Sequence, residues 1–109
     1  MFTFGRTLAA QKLEELVSQS PSARRKISSL LSDYTNQLLQ ITMAKEPRTV
    51  RLCMEMLRDY TLRRLDVKTK LTDDIRSYAK NVVIYRHRVF RKEFDAITRI
   101  IQRRQQKPI

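Results

Sequence analysis

Residues that turn a chain are nearly missing from this sequence. Its glycine content is Gly5 alone, and its prolines are Pro21, Pro47 and Pro108. β-Hairpins need residues that tolerate positive φ, so a sheet has almost nothing to turn on, and helices remain. A proline is harmless in a helix's first turn and disruptive further in, so Pro21 and Pro47 each mark a fresh helix start. The 109 residues are enough for one domain, 1–109. Its expected class is all-α, an antiparallel helical hairpin or bundle of about four helices with a long basic C-terminal helix, loose at residues 1–6 and 105–109.

The apolar period places the helices within that frame. Ala9, Leu13, Leu16 and Val17 define a short first helix over residues 7–18 with Thr7 as N-cap. Phe2 and Phe4 precede it and are expected to fold back on the core or to meet a second copy. Ser20 caps and Pro21 opens a second helix to about residue 43, whose stripe is Ile27, Leu30, Leu31, Tyr34, Leu38 and Ile41. A third runs from Pro47 to about residue 70, with Val50, Cys53, Met54, Leu57, Thr61, Leu65 and Leu71 on one face and Leu52, Met56, Tyr60 and Val67 on an adjoining arc. So wide an arc predicts two neighbours, both in this chain or one of them a dimer mate. Thr72, Asp73 and Asp74 start the fourth helix, 72–107, with an N-cap and charges that suit the helix dipole.

The fourth helix has two sides. Ile75, Tyr78, Ala79, Val82, Val89, Phe90, Ile97 and Ile100 form its core face. Opposite them, Lys80, Arg88, Arg91, Arg99 and Arg103 fall within roughly 140° of arc and about 35 Å of axis. Arg86 and Glu93 interrupt the core side, which predicts either that they pair with another helix or subunit, or that the helix projects beyond the bundle there.

Charge narrows the function. The formal net charge is +12, and it rises along the chain from +2 over residues 1–44 to +4 over 45–71 and +6 over 72–109. Self-repulsion of this size calls for a polyanion: nucleic acid, an anionic membrane surface or an acidic protein. Enzymatic chemistry is not expected. General acid–base or nucleophilic catalysis needs a nucleophile, a base and a charge stabiliser in one cleft. The single histidine, His87, lies among cations that disfavour its protonation and is expected at the surface, while the single cysteine, Cys53, reads as a small core side chain. No metal or other cofactor is expected, because Asp73 and Asp74 lack a second ligand cluster, and one glycine cannot build a phosphate loop. No apolar run approaches the ~18 residues of a transmembrane helix, so a soluble, intracellular, cytoplasmic chain is expected. MFTFGRTLAAQKL has the arginine and apolar residues of a mitochondrial presequence, but Glu14 and Glu15 follow at once.

A rigid helix carrying arginines at intervals can neutralise successive phosphates along a groove. With no tryptophan and most aromatics on apolar faces, stacking on single strands is disfavoured and a duplex read by shape is preferred. The candidate nucleic-acid contacts are Lys80, Arg88, Arg91, Arg99 and Arg103, with Arg51 and Arg58 extending the surface from the third helix. Their expected partner is double-stranded RNA or a similar duplex, bound by a homodimer. The alternative is a structural or adaptor subunit docking on an acidic protein, or within a ribonucleoprotein or mitochondrial assembly.

The hairpin over residues 12–71, with its turn at Pro47, Cys53 in the following arm and Arg51 and Arg58 on that arm, resembles the nodaviral suppressors of RNA silencing. The resemblance implies a dimeric four-helix bundle lying along double-stranded RNA in the host cytoplasm. The long fourth helix and the break at Pro21 depart from that pattern. The segment IYRHRVFRKEF, through Ile84, Tyr85 and Arg86, is similar to the Leu-Tyr-Arg proteins of mitochondrial assembly, although there the triplet lies near the start of the first helix.

Overall fold

The computed structural model describes residues 7–44, 46–67 and 70–106. Within them are four helices and no strand: α1 (Leu8–Ser18), α2 (Pro21–Ala44), α3 (Pro47–Asp66) and α4 (Asp73–Gln106). The all-helical expectation holds, and α2 and α3 begin at Pro21 and Pro47, where the prolines put them. Each start has a local cause. Thr7 Oγ1 accepts from Ala10 N at 3.1 Å, Ser20 Oγ from Ala23 N at 3.4 Å, and Thr72 Oγ1 from Ile75 N at 3.3 Å. Glu46 caps α3 with extended backbone and no side-chain bond, and Pro47 follows in the first turn. α3 ends at Asp66, earlier than the sequence suggests. Phe2, Phe4 and residues 107–109 lie outside the described residues, whereas α4 runs through Gln105 and Gln106.

The helices form a bundle in which α4 packs on α3 and α1, and α2 on α3 and, less closely, α1. Ala10, Leu13 and Val17 of α1 meet Ile27, Leu30, Leu31, Tyr34 and Leu38 of α2, Val50, Met54, Leu57 and Leu65 of α3, and Ile75, Ala79, Val82 and Val83 of α4 in one buried cluster. The two expected stripes of α2 and α3 are therefore the core. Buried Thr61 and Thr98 donate to the carbonyls of Leu57 and Phe94, both at 2.8 Å, so neither hydroxyl is left unpaired.

Helix lengths decide what the bundle leaves open. At a rise of about 1.5 Å per residue α1 reaches back along α2 only as far as the neighbourhood of Leu31. α4, with 34 residues, runs most of the 59 Å long axis. Among the described residues, one end of the molecule thus has four helices in cross-section and the other has three, with a corner between α2 and α4 that no described helix fills.

Two expectations for α4 are corrected there. Ile97 and Ile100, assigned to the core, are 57% and 51% exposed, because no helix among the described residues stands opposite them. His87, assigned to the surface, is only 8% exposed, because its turn of α4 faces α3. The adjoining arc of α3 also finds no cover among the described residues: Leu52, Met56, Tyr60 and Val67 are all exposed.

Candidate nucleic-acid interface

The basic face of α4 divides in two. Lys80 Nζ reaches Asp66 Oδ1 at 2.9 Å, Arg91 reaches Glu55 Oε1 at 3.3 Å and Asp95 Oδ2 at 3.4 Å, and Arg51 Nε donates to Asp95 Oδ1 at 2.9 Å. Each step forward on α3, through Arg51, Glu55 and Asp66, meets an equal step back on α4, through Asp95, Arg91 and Lys80. The ladder fixes the antiparallel register of the pair. Its members are partly solvated, and such exposed pairs contribute only about 0–1 kcal/mol each, so their effect is on alignment more than on stability. Arg58 is also engaged, to its neighbour Asp59 at 3.1 Å. Of the candidate contacts, Lys80, Arg91, Arg51 and Arg58 are therefore held by carboxylates of this chain.

Arg88, Arg99 and Arg103 are not. All three are exposed and have no ion pair among the described residues. Lys92, which sequence reasoning missed, joins them: it is exposed and likewise unpaired. Its position four residues after Arg88 and seven before Arg99 is the same-face spacing that could have revealed it. The four cations occupy roughly 60° of the face turned away from α1 and α3, over about 22 Å of helix. The wider stripe expected from sequence narrows to this outer row.

A second basic feature lies at the four-helix end. Ser22, Arg25, Lys26 and Ser29 of α2, at successive same-face positions, border a ≈ 370 Å³ notch closed by Arg64 of α3. Arg64 stacks at 5.9 Å over the Tyr60 ring. The spacing of Arg25 and Lys26 to Ser22 and Ser29 is the signal in the sequence that points to this notch.

Titratable groups inside the bundle are shifted by burial and by this charge. Asp95 is held below its ordinary carboxylate value of 3.8, first by the hydrogen bond from Arg51. His87 is pushed below its ordinary 6.5, mainly by burial and then by Arg58 and Arg91, so it is the neutral imidazole at pH 7. Its Nδ1 has no hydrogen-bond partner among the described residues. Tyr34, 1% exposed and with its hydroxyl unpartnered, is pushed up to about 12 by burial. Cys53 is half-buried between α2 and α3. Among the described residues no group of three or more His, Cys, Asp or Glu side chains could hold a metal ion, and no helix is long and apolar enough to cross a membrane.

The unfilled corner forms a groove. Its first part, ≈ 500 Å³, is bordered by Ser32, Thr35, Asn36 and Leu38 of α2 and by Tyr85, Arg86, Val89, Phe90 and Glu93 of α4. Its second, ≈ 670 Å³, continues past Phe94, Ile97 and Ile101 to Thr42 and Pro47. Arg86 and Glu93, read from sequence as interruptions of the core face, both open onto this groove. Comparison with protein-family models, with curated proteins and with solved structures finds no match for this chain.

Proposed function

We propose that this protein binds double-stranded RNA, or a duplex of similar shape, through backbone phosphates laid along the outer face of α4. The observation that carries this reading is the row Arg88, Lys92, Arg99 and Arg103, four exposed cations on one rigid helix without an acidic partner among the described residues. Cations already engaged with carboxylates must break those pairs before they neutralise a phosphate, and unengaged ones need not. A duplex presents one charge per about 1.7 Å of axis, so a 22 Å row meets more phosphates than it has cations. The wide, shallow minor groove of A-form RNA, bordered by phosphates and 2′-hydroxyls, accepts such a contact without base reading. Shielding a duplex from cleavage, the role implied by the resemblance to nodaviral suppressors, is the activity that a surface of this kind would serve.

The test is a titration of the full chain against a ~25 base-pair RNA duplex, its DNA counterpart and a single strand at several salt concentrations. Four phosphate contacts give a logarithmic salt slope near −3.6, so affinity for the RNA duplex should fall on the order of 10²-fold between 50 and 200 mM. Equal, weak binding to all three with a slope shallower than about −1 would overturn the reading.

The exposed Ile97, Ile100 and Ile101, on the side of α4 away from the row, favour a second reading. An adaptor subunit docking on an acidic protein would cover them, whereas a phosphate backbone would not. Such docking would survive salt that abolishes duplex binding.

A further inference from the structure

We infer that the notch between the first turns of α2 and the last turns of α3 binds a terminal phosphate group, the dianion of a phosphate monoester or of free phosphate, at a site separate from the α4 row. The inference does not depend on the duplex reading.

Two helices build the site. Ser22, Arg25, Lys26 and Ser29 follow one another at same-face spacing, so α2 presents them on one side. α3 runs back along α2, which brings Arg64, near its end, to the opposite border. Leu30, 2% exposed, forms the floor. Three cations and two hydroxyls thus border one concave space of ≈ 370 Å³. Arg64 is ordered in advance: its guanidinium lies 5.9 Å over the Tyr60 ring, so less side-chain freedom is lost when it takes a ligand.

The chain supplies no carboxylate to neutralise these cations. All 11 acidic side chains fall among the described residues, and none of them forms an ion pair with Arg25, Lys26 or Arg64. The acids of the surrounding turns are engaged elsewhere, Glu14 with Arg24 at 2.8 Å, Asp59 with Arg58 at 3.1 Å and Asp66 with Lys80 at 2.9 Å. Asp33, on the same face of α2, stands about 10 Å along the axis from Lys26. The residues outside the described set have basic or neutral side chains only, so an anion must come from another molecule.

The arrangement selects the kind of anion. The α4 cations are strung along about 22 Å of helix, which suits a succession of singly charged diesters. Cations gathered round one notch suit a compact charge instead. A terminal phosphate carries about −1.5 to −2 at pH 7 and presents three acceptor oxygens, which the planar fork of arginine and hydroxyl donors match. The α4 row also lies roughly half a turn round its helix from the buried Ala79 and Val83, and α2 stands across the core from it. A duplex along the row therefore leaves the notch uncovered.

The experiment is a ¹H–¹⁵N NMR titration of the full chain at constant ionic strength with inorganic phosphate, adenosine 5′-monophosphate and adenosine 3′,5′-cyclic monophosphate. Saturable shifts at residues 22–29 and at the Arg64 side chain are expected, with Kd on the order of 1 mM for the first two probes and about tenfold weaker for the cyclic diester. Equal Kd values for the first two assign the site to the phosphate group alone, and tighter binding of the nucleotide assigns it to a phosphate carried on a nucleoside. Arg25→Gln with Arg64→Gln should weaken binding by at least about tenfold. Arg48→Gln with Arg104→Gln removes the same charge from exposed positions away from the notch and should change it by less than about twofold. Far-UV circular dichroism checks that each variant is folded, and Arg25 is exposed, so Arg25→Gln alone keeps the test valid should the pair not fold. Shifts that do not saturate, a cyclic diester that binds as tightly as the monophosphate, or equal losses in the two double variants would each overturn the site.

Discussion

α4 carries one apolar period through two different surroundings. In its first half Ile75, Ala79, Val82 and Val83 are at most 5% exposed, whereas in its second half Ile97, Ile100 and Ile101 are at least 50% exposed. The residue types hardly differ. What differs is the neighbourhood: α1 and α3 flank the first half, and the second has α3 on one side and the open corner on the other. Periodicity thus specifies that a helix has a face to bury without saying whether this chain supplies the cover. The same holds for α3, whose Val50 and Leu65 are fully buried while Leu52 and Met56 on the adjoining arc are not.

That contrast can be broken by substitution. Leu13→Ala, at a fully buried position where α1 closes the four-helix end, should cost about 2–5 kcal/mol in urea unfolding. Ile97→Ala, measured at protein concentrations low enough to keep the chain monomeric, should stay within about 0.5 kcal/mol. Comparable losses at both sites would mean that the second half of α4 is packed within the monomer.

Acid sharpens the comparison. His87 binds its proton more weakly folded than unfolded, because burial and then Arg58 and Arg91 disfavour the imidazolium. Stability should therefore fall as pH drops below the ordinary histidine value of 6.5. His87→Leu should flatten that part of the profile in thermal melts between pH 7 and 5; an unchanged slope would show that another group titrates. Asp95 acts lower on the scale. Its depressed pKa contributes stability above the ordinary 3.8 that is lost as pH falls through and below that value. Asp95→Asn should cost less than about 1 kcal/mol at neutral pH, as an exposed pair does, and should make acid unfolding shallower below pH 4.

Much of the fold was legible because sterics wrote it locally. Pro21 and Pro47 fixed two helix starts, Thr7 and Thr72 capped as their side chains allow, and the stripes of α2 and α3 became the core. The extent of the core was not legible, since it depends on how far a short α1 reaches along a long α4. Nor was the fate of each cation. A helical-wheel reading places Lys80 and Arg91 with Arg88 on a common basic face. Only the antiparallel register brings Asp66 to Lys80 and Glu55 to Arg91 and leaves Arg88 without such a partner among the described residues. The acids on α3 were visible in sequence, but the distance across the pair was not. His87 was misplaced for a related reason: its basic neighbours suggested solvent, and the rotation of α4 against α3 turned the ring inward.

The central claim is that position, and not total charge, makes the outer row of α4 the phosphate-contacting surface. It is tested most directly by two triple variants of equal net charge. One replaces Arg88, Arg99 and Arg103 with glutamine, and the other replaces Arg51, Arg58 and Lys80, with circular dichroism confirming that both stay helical. Salt titration against the same RNA duplex should show the first losing about 2.7 units of logarithmic slope, three contacts' worth, while the second keeps nearly the parent slope. Equal losses in both would contradict the claim and leave the charge a generic property of the molecule.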